Sequence, residues 1–411
     1  MTDIISLIQK ETERQRETLM LIPSENYTYP EVREAVGSVL MHKYSEGYPG
    51  RRYYQGNEFI DQIETSAIES AKKLFGTPHA NVQPLSGSPA NAAVLVAVAN
   101  AGDTIMGLSL ASGGHLTHGH PDITFSGKFF SSVQFSIEAD GTFDFEALRK
   151  MIITHKPKVL FIGTTAYPRV IDFELFAKAC EDLDVILVAD ISHIAGLVVS
   201  GLHPNPAPFV DIITTTTHKM LRGPRGGIIL VTEKGLRRDP ELGKKIDRSV
   251  FPGMQGGPHD NVTAGIAIAL AKALEPQYTD YAKQILLNAS VLSHELMKYG
   301  YLLVTGGTDN HLLLLDLRPN GISGKTAAIA LEQAGIVVNA NSVPFDTASP
   351  LAPNGIRMGT PAVTTRKMGE SEMKEIAHAI HLVLSNSGNQ NVIHEVKEKI
   401  TALCNRFPVD F

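Results

Sequence analysis

Four apolar runs, "KVLFIG" (158–163), "VILVAD" (185–190), "DIITTT" (211–216) and "GIILVT" (227–232), constrain the fold more than any other feature. Each is short and rich in β-branched residues. Strands with that texture are covered on both faces, as in the middle of a mainly parallel sheet. Helical stretches alternate with strand-like pieces along the chain: "FIDQIETSAIESAKKLF", "ANVQPLS", "PANAAVLVAVANA", "DTIMGLSL" and, later, "NVTAGIAIALAKALE". Such alternation predicts a wound α/β domain. Beyond residue 275 the texture changes. "YLLVTGGTDNHLLLLDL" predicts a strand pair around a Gly-Gly-Thr-Asp turn, and the remaining residues predict a smaller α+β domain ending in a long helical stretch. Residues 1–45, an amphipathic helix with Ile5 and Ile8 on one face and then the loop "LIPSENYTYPEV", are too thin for a core and are expected to form an arm packed against something else. The expected division is thus arm 1–45, large domain 46–275 and small domain 276–411.

Composition narrows the function classes. The 411 residues are 43% hydrophobic and 19% charged, as in an ordinary globular protein with a large core, and the formal net charge of -6 argues against a nucleic-acid binder. Cys180 and Cys404 are far apart, with no CxxC spacing, so neither a disulfide framework nor a zinc knuckle is expected, and a reducing compartment fits. The N-terminus turns charged at once, unlike a signal peptide, and no apolar run approaches the ~18 residues that span a bilayer. A cytoplasmic, membrane-free protein acting on small molecules is the expectation.

In open α/β sheets ligands settle at the carboxyl ends of strands. The segments "PLSGSPAN", "ASGGHLTHGH", "DISHIAG" and "HKMLRGPRGG" all fall at such ends. Two charged residues stand out there. Asp190 ends a buried strand, where an unpaired carboxylate would be costly. Lys219 comes after four threonines and His218 and precedes a run of glycines and arginines, which is a site position rather than a core position. Pyridoxal phosphate accounts for both, because it needs a lysine for its aldehyde and an acid to keep its ring nitrogen protonated. "LSGSPAN" would then open a helix on the phosphate, with the amides of Gly87 and Ser88 and the hydroxyls of Ser86 and Ser88 as donors. His115, after the flexible Gly113-Gly114, is suited to pack on the cofactor ring, while His118 and His120 read as hydrogen-bonded loop histidines. The rival reading is a metal-dependent hydrolase using His115, His118, His120 and Asp190. No HExxH-type spacing supports it, and no metal is expected.

The residues also resemble a known family. "LIPSENYT", "HKYSEGYPGRRYYQGNEFID", "QPLSGSPAN", "GGHLTHG", "DISHIAGLV", "TTTTHKMLRGPRGG", "FPGMQGGPHD", "GGTDNHLLLLDLRP" and "NGIRMGTPAVTTR" are similar, in order and over nearly the whole chain, to the motifs of serine hydroxymethyltransferases. The resemblance implies the fold-type I architecture of pyridoxal-phosphate enzymes, and a homodimer or dimer of dimers with sites at the subunit interface. It implies reversible conversion of serine and tetrahydrofolate to glycine and 5,10-methylenetetrahydrofolate.

Residue by residue, the resemblance makes Lys219 the carrier of the cofactor aldehyde, with His218 beside it, Asp190 the partner of the ring nitrogen, His193 a neighbour of the phenolic oxygen and His115 the stacking residue. Ser86, Gly87 and Ser88 match the phosphate cradle, Thr165 and Thr216 match further cofactor positions, and Tyr44 and Gly257 match positions that reach the phosphate from the neighbouring subunit. Arg357, with Ser24 nearby, matches the site of the substrate carboxylate. Glu46 matches the acid/base that handles the serine hydroxyl proton, and Tyr54 accompanies it. Tyr53, Leu110, Gly114, Leu116, Asn341, Ser349, Pro350 and Leu351 match the folate seat. The arm would serve the partner's site.

Some positions depart from the family pattern: Gln55, Leu85, Ser112, Thr165, Ser192 and Leu351. None removes a chemical residue. They leave room for an alternative on the same scaffold, an α-methylserine hydroxymethyltransferase or a folate-independent β-hydroxy-amino-acid aldolase.

Overall fold

The computed structural model describes residues 3–349 and 351–411. The apolar runs form the centre of a seven-stranded sheet. Its strands are β1 (His79–Asn81), β2 (Thr104–Leu108), β3 (Ser131–Phe135), β4 (Val159–Gly163), β5 (Ile186–Asp190), β6 (Ile212–Thr216) and β7 (Gly227–Val231). Their spatial order is β1-β7-β6-β5-β4-β2-β3. Every residue of β4 to β7 is buried, as unbroken apolar runs require.

Strands β2 to β6 pair in parallel, giving the mainly parallel wound sheet expected of this α/β, fold-type I architecture. β7 runs against both of its neighbours. The reason is the linker: a parallel return needs a crossover of about a dozen residues or more, and loop 217–226 is too short for one. β3, "SSVQF", lies at the edge and is only partly buried, so it lacks the apolar signature that marks the others.

Helix Gly87–Val98 packs on this sheet with Ala90, Ala93, Val94 and Leu95 in one core with Val159, Phe161, Val188 and Ile229. Its first turn lies against the ends of β6 and β7: a Cβ added to Gly87 would lie 2.7 Å from Thr216 Cγ2, and one added to Gly227 would lie 2.5 Å from the Ser86 carbonyl. Glycine at both places lets the helix start against the strands.

The chain forms two compact units, and their limits differ from the expected division. The large unit comprises residues 28–165 and 170–282, and the small unit comprises the N-terminal stretch through Tyr27, Ala166–Arg169 and Lys283–Phe411. Residues expected in a single arm are therefore shared. Leu19 and Met20 pair in parallel with Ile336 and Val337, and Leu19 and Leu21 enter the small unit's core. The buried Arg366 donates to the carbonyls of Gln15, Arg16 and Thr18 on one side and of Cys404 and Phe407 on the other. Helix Ile4–Glu17, capped by Asp3, buries none of its residues within the chain, and Ile5 and Ile8 stay exposed.

The small unit's four-stranded antiparallel sheet runs Leu302–Leu303, Leu312–Asp316, Gly355–Gly359, Asn339–Asn341. The strand pair expected around the Gly-Gly-Thr-Asp turn is its first two members. Among the described residues no helix is long and apolar enough to cross a membrane.

Candidate active site

Asp190 ends β5, in register with Thr214 of β6, and its carboxylate is enclosed. Oδ2 accepts from Asn91 Nδ2 at 2.8 Å and bonds His118 Nε2 at 3.0 Å, while Oδ1 accepts from the Ser192 amide at 3.1 Å. Burial works against the charge, but the His118 bond, the nearby imidazoles and the Ser192 bond outweigh it and hold the carboxyl well below the usual carboxylate range. His118 is itself pinned, stacked on Phe161 with ring centroids 5.0 Å apart. Asp190 is thus an anion fixed at a strand end, the state a protonated ring nitrogen needs opposite it.

Lys219 is buried in the loop after β6. That loop is tied to itself: Thr217 N donates to the Gly226 carbonyl, Gly223 N to the Thr217 carbonyl, and Thr217 Oγ1 to the Pro224 carbonyl. Arg222 takes the left-handed conformation at φ 58° and its guanidinium stacks 3.9 Å from the Tyr29 ring centroid. Tyr278 Oη donates to the Met220 carbonyl at 2.9 Å. The glycines and arginines after the lysine therefore fix its backbone. Burial, with the charges of Lys219 and Arg225, pushes the pKa of His218 down to about 3, so its ring is neutral near pH 7.

The segment expected to cradle a phosphate leaves polar groups unused. Ser86 stands at the N-cap of helix Gly87–Val98 and makes no side-chain capping bond, so the first-turn amides remain available as an anion site. Beside them the buried Thr216 Oγ1 has no hydrogen-bond partner among the described residues, and the space a Cβ at Gly87 would fill opens onto Thr216 and Ser192. A buried orphan hydroxyl next to uncapped amides fits a phosphate ester.

His115 lies at the start of the turn Leu116–His118, with Nδ1 2.7 Å from Thr117 Oγ1. Burial and the neighbouring His118 push its pKa down to about 4, leaving a neutral ring. His193 is buried in the turn just past β5, next to Ser192. Thr165 donates its amide to the Gly113 carbonyl at 2.7 Å and its hydroxyl to the Gly114 carbonyl at 3.1 Å, and so braces the turn before His115. Ser112, another departure, is a buried loop pin that receives the Ile137 amide at 3.3 Å.

Elsewhere in the large unit, Tyr44 and Gly257 face each other: a Cβ at Gly257 would lie 3.3 Å from the tyrosine ring. Tyr44 and Tyr54 meet edge to face at 5.2 Å, Tyr53 meets Phe251 at 5.7 Å, and a Glu46 carboxylate oxygen lies beside Gly256. The loop bearing them is braced by Arg52, which is bonded to Asp61, Glu64 and the carbonyls of Ser45 and Gly47. Tyr44, Tyr53, Tyr54, Leu110 and Leu116 are all exposed. Gln55 is exposed too, its carbonyl bonded by Lys43 at 2.9 Å.

In the small unit, Arg357 sits in Gly355–Gly359 with Nε 3.1 Å from Asn339 Oδ1. Burial pushes its pKa down to about 10. Asn341 donates to the Ser342 carbonyl, Ser24 is half-buried, and Ser349 Oγ receives the Leu351 amide at 3.3 Å. Leu351 is 84% exposed. Pro350 lies outside the described residues.

A family model described as serine hydroxymethyltransferase matches residues 1–380. The chain belongs to the serine hydroxymethyltransferase family. It is 52% identical over 400 residues to a serine hydroxymethyltransferase of Acidothermus cellulolyticus, covering 97% of this chain and 92% of that one. It is 48% identical over 406 residues to one from Desulfotalea psychrophila and 50% identical over 407 residues to one from Nostoc, each covering 99% of this chain and 94% of the relative. The mainly parallel wound sheet agrees with the family's fold.

Two members of the site carry no conspicuous sequence signal. Asn91 sits in an apolar helix, although a lone amide among "PANAAVLVAV" is a sign that something buried must pair with it. His118 reads as a loop histidine but bonds the key carboxylate. His115, His118 and Asp190 do converge, with ligand atoms within 4.8 Å of one another. His120 is not in that group, and the His118 to Asp190 contact is already a hydrogen bond.

Proposed function

We propose that this chain catalyses the reversible transfer of a hydroxymethyl group between serine and tetrahydrofolate, giving glycine and 5,10-methylenetetrahydrofolate, with pyridoxal 5'-phosphate as its cofactor. The observation that carries this reading is the enclosed Asp190 anion at the end of β5, next to the strand whose following loop fixes Lys219. Pyridoxal phosphate, when bound, supplies an electron-accepting ring that eases cleavage of a bond at the substrate's α-carbon.

The chain's own residues divide the remaining work. Asp190 holds a proton on the ring nitrogen by remaining charged. Lys219 carries the aldehyde between turnovers, and the neutral His218 beside it adds no positive charge that would oppose it. The first-turn amides at Gly87 and Ser88, with the hydroxyls of Ser86, Ser88 and Thr216, take the phosphate. His115 would present a neutral face to the ring and His193 would meet the phenolic oxygen, while Thr165 braces the turn that carries His115. Arg357 holds the amino-acid carboxylate through its planar fork, helped by Ser24. Glu46, with Tyr54, moves the proton of the serine hydroxyl.

For folate, the family resemblance assigns Tyr53, Leu110, Gly114 and Leu116 on the large unit and Asn341, Ser349 and Leu351 on the small one, with Pro350 outside the described residues. In this proposal the working form is a homodimer in the cytoplasm, with Tyr44, Glu46, Tyr54 and Gly257 serving the partner's site. The exposed tyrosines of that loop support it, since exposed aromatic clusters mark contact surfaces.

The test is glycine formation from serine with and without tetrahydrofolate. Folate-dependent turnover is expected, and equal rates without folate would replace the transferase by an aldolase.

A further inference from the structure

Asn91 lies fully buried in the helix that begins at the phosphate cradle, and each polar group of its side chain is used. Nδ2 donates to Asp190 Oδ2 at 2.8 Å and to Thr117 Oγ1 at 2.9 Å, while Oδ1 accepts from Thr214 Oγ1 at 2.7 Å. The amide cannot be turned the other way, because its oxygen would then face a carboxylate oxygen. His115 Nδ1 receives the Thr117 amide at 3.2 Å, so Nδ1 is an acceptor and a neutral imidazole carries its proton on Nε2. Thr117 Oγ1, which receives the Asn91 N–H, lies 2.7 Å from the same nitrogen and therefore donates its own proton there.

We infer that Asn91 is a positioning residue that joins the Asp190 carboxylate to the His115 ring, reinforcing through the Thr117 hydroxyl the His115 tautomer that the Thr117 amide favours, while holding Asp190 in place. The inference rests on the proposed cofactor reading for its consequence, since it is the cofactor ring that both residues would meet. For its geometry it depends only on this chain. Thr214 on β6, Asn91 on the helix, Asp190 on β5 and Thr117 in the histidine turn come from separate segments, and the single amide links them all. Directional use of both N–H groups and the carbonyl makes leucine, similar in volume but unable to hydrogen-bond, the informative replacement.

The test compares the full-length holoenzyme with Asn91→Leu and Thr117→Val. Nitrogen-15 shifts of labelled histidine report the His115 tautomer, and equilibrium dialysis reports retention of pyridoxal phosphate. Wild type should show His115 protonated on Nε2. Asn91→Leu should show a mixed population, with part of His115 shifted away from that tautomer, and bind the cofactor about tenfold more weakly, as expected for a lost bond to a charged group. Thr117→Val, which keeps only the backbone donor, should show a similar shift in population, but with cofactor affinity changed less than about threefold, because Asn91 still holds Asp190. An unchanged tautomer in both variants would overturn the inference, and if Asn91→Leu does not fold, the Thr117→Val spectrum decides alone. Wild type that binds no pyridoxal phosphate would instead remove the functional reading, whatever the tautomer.

Discussion

Around Asp190 the side chains of the large unit are bonded to one another, whereas around Tyr53 the same unit leaves aromatic rings in the open. Asp190, Asn91, His118, Thr117 and Thr214 are each buried and joined by side-chain hydrogen bonds. Tyr53 is 71% exposed and touches Phe251 by ring contact. The first arrangement suits a group held through many turnovers, for which preorganised polar contacts do the binding. The second suits a surface completed by something that arrives, a co-substrate or another subunit. The lesson is that side chains which must hold one fixed orientation satisfy one another beforehand, whereas rings meant for a visitor are left in the open.

Substitutions at the two sites should separate accordingly. Replacing Lys219 by Ala should have the largest effect, lowering turnover at least about 10^3-fold, and borohydride reduction with peptide mapping should find no pyridoxyl label at that position. Next is Arg357→Lys, for which the KM for serine should rise on the order of 10–100-fold as the fork geometry is lost; an unchanged KM would move the carboxylate elsewhere. On the open side, Tyr53→Ala should raise the KM for tetrahydrofolate roughly 3–10-fold and leave cofactor retention as in wild type. A fall in cofactor retention there would erase the contrast between the two regions.

The smallest effect concerns pH. His218 and His115 are held at about 3 and about 4 by burial, below the ~6.5 of a free imidazole. On acidification the unfolded chain therefore takes up these protons first. Their contribution to stability is complete above about pH 6.5 and is lost as pH falls through 4 toward 3. Urea unfolding of the cofactor-free protein should show stability falling over that window, with a shallower slope in His218→Asn. Equal slopes would mean that His218 does not contribute.

How much of this is legible in the sequence depends on how far apart the determinants lie. β4 to β6 are legible because buried parallel strands are continuous apolar runs, and Asp190 and Lys219 because charged residues at the ends of such runs are conspicuous. β3 escapes because an edge strand with serine and glutamine carries no such run. The direction of β7 is set by the length of its linker rather than by its own residues. Asn91 and His118 act across gaps of 99 and 72 residues to reach Asp190, which no local pattern encodes. The division of the arm is hidden for the same reason: Arg366 reaches Gln15 across 351 residues.

That last contact bears on how the protein is made. A ribosome releases the residues of the large unit, up to 282, before most of the small unit exists, while the carbonyls of Arg16 and Thr18 must wait for Arg366 to supply their donor. Residues 15–18 are therefore among the later parts of this chain to settle, and a nascent chain stalled before Arg366 would hold a complete large-unit sheet while that stretch still lacked its donor.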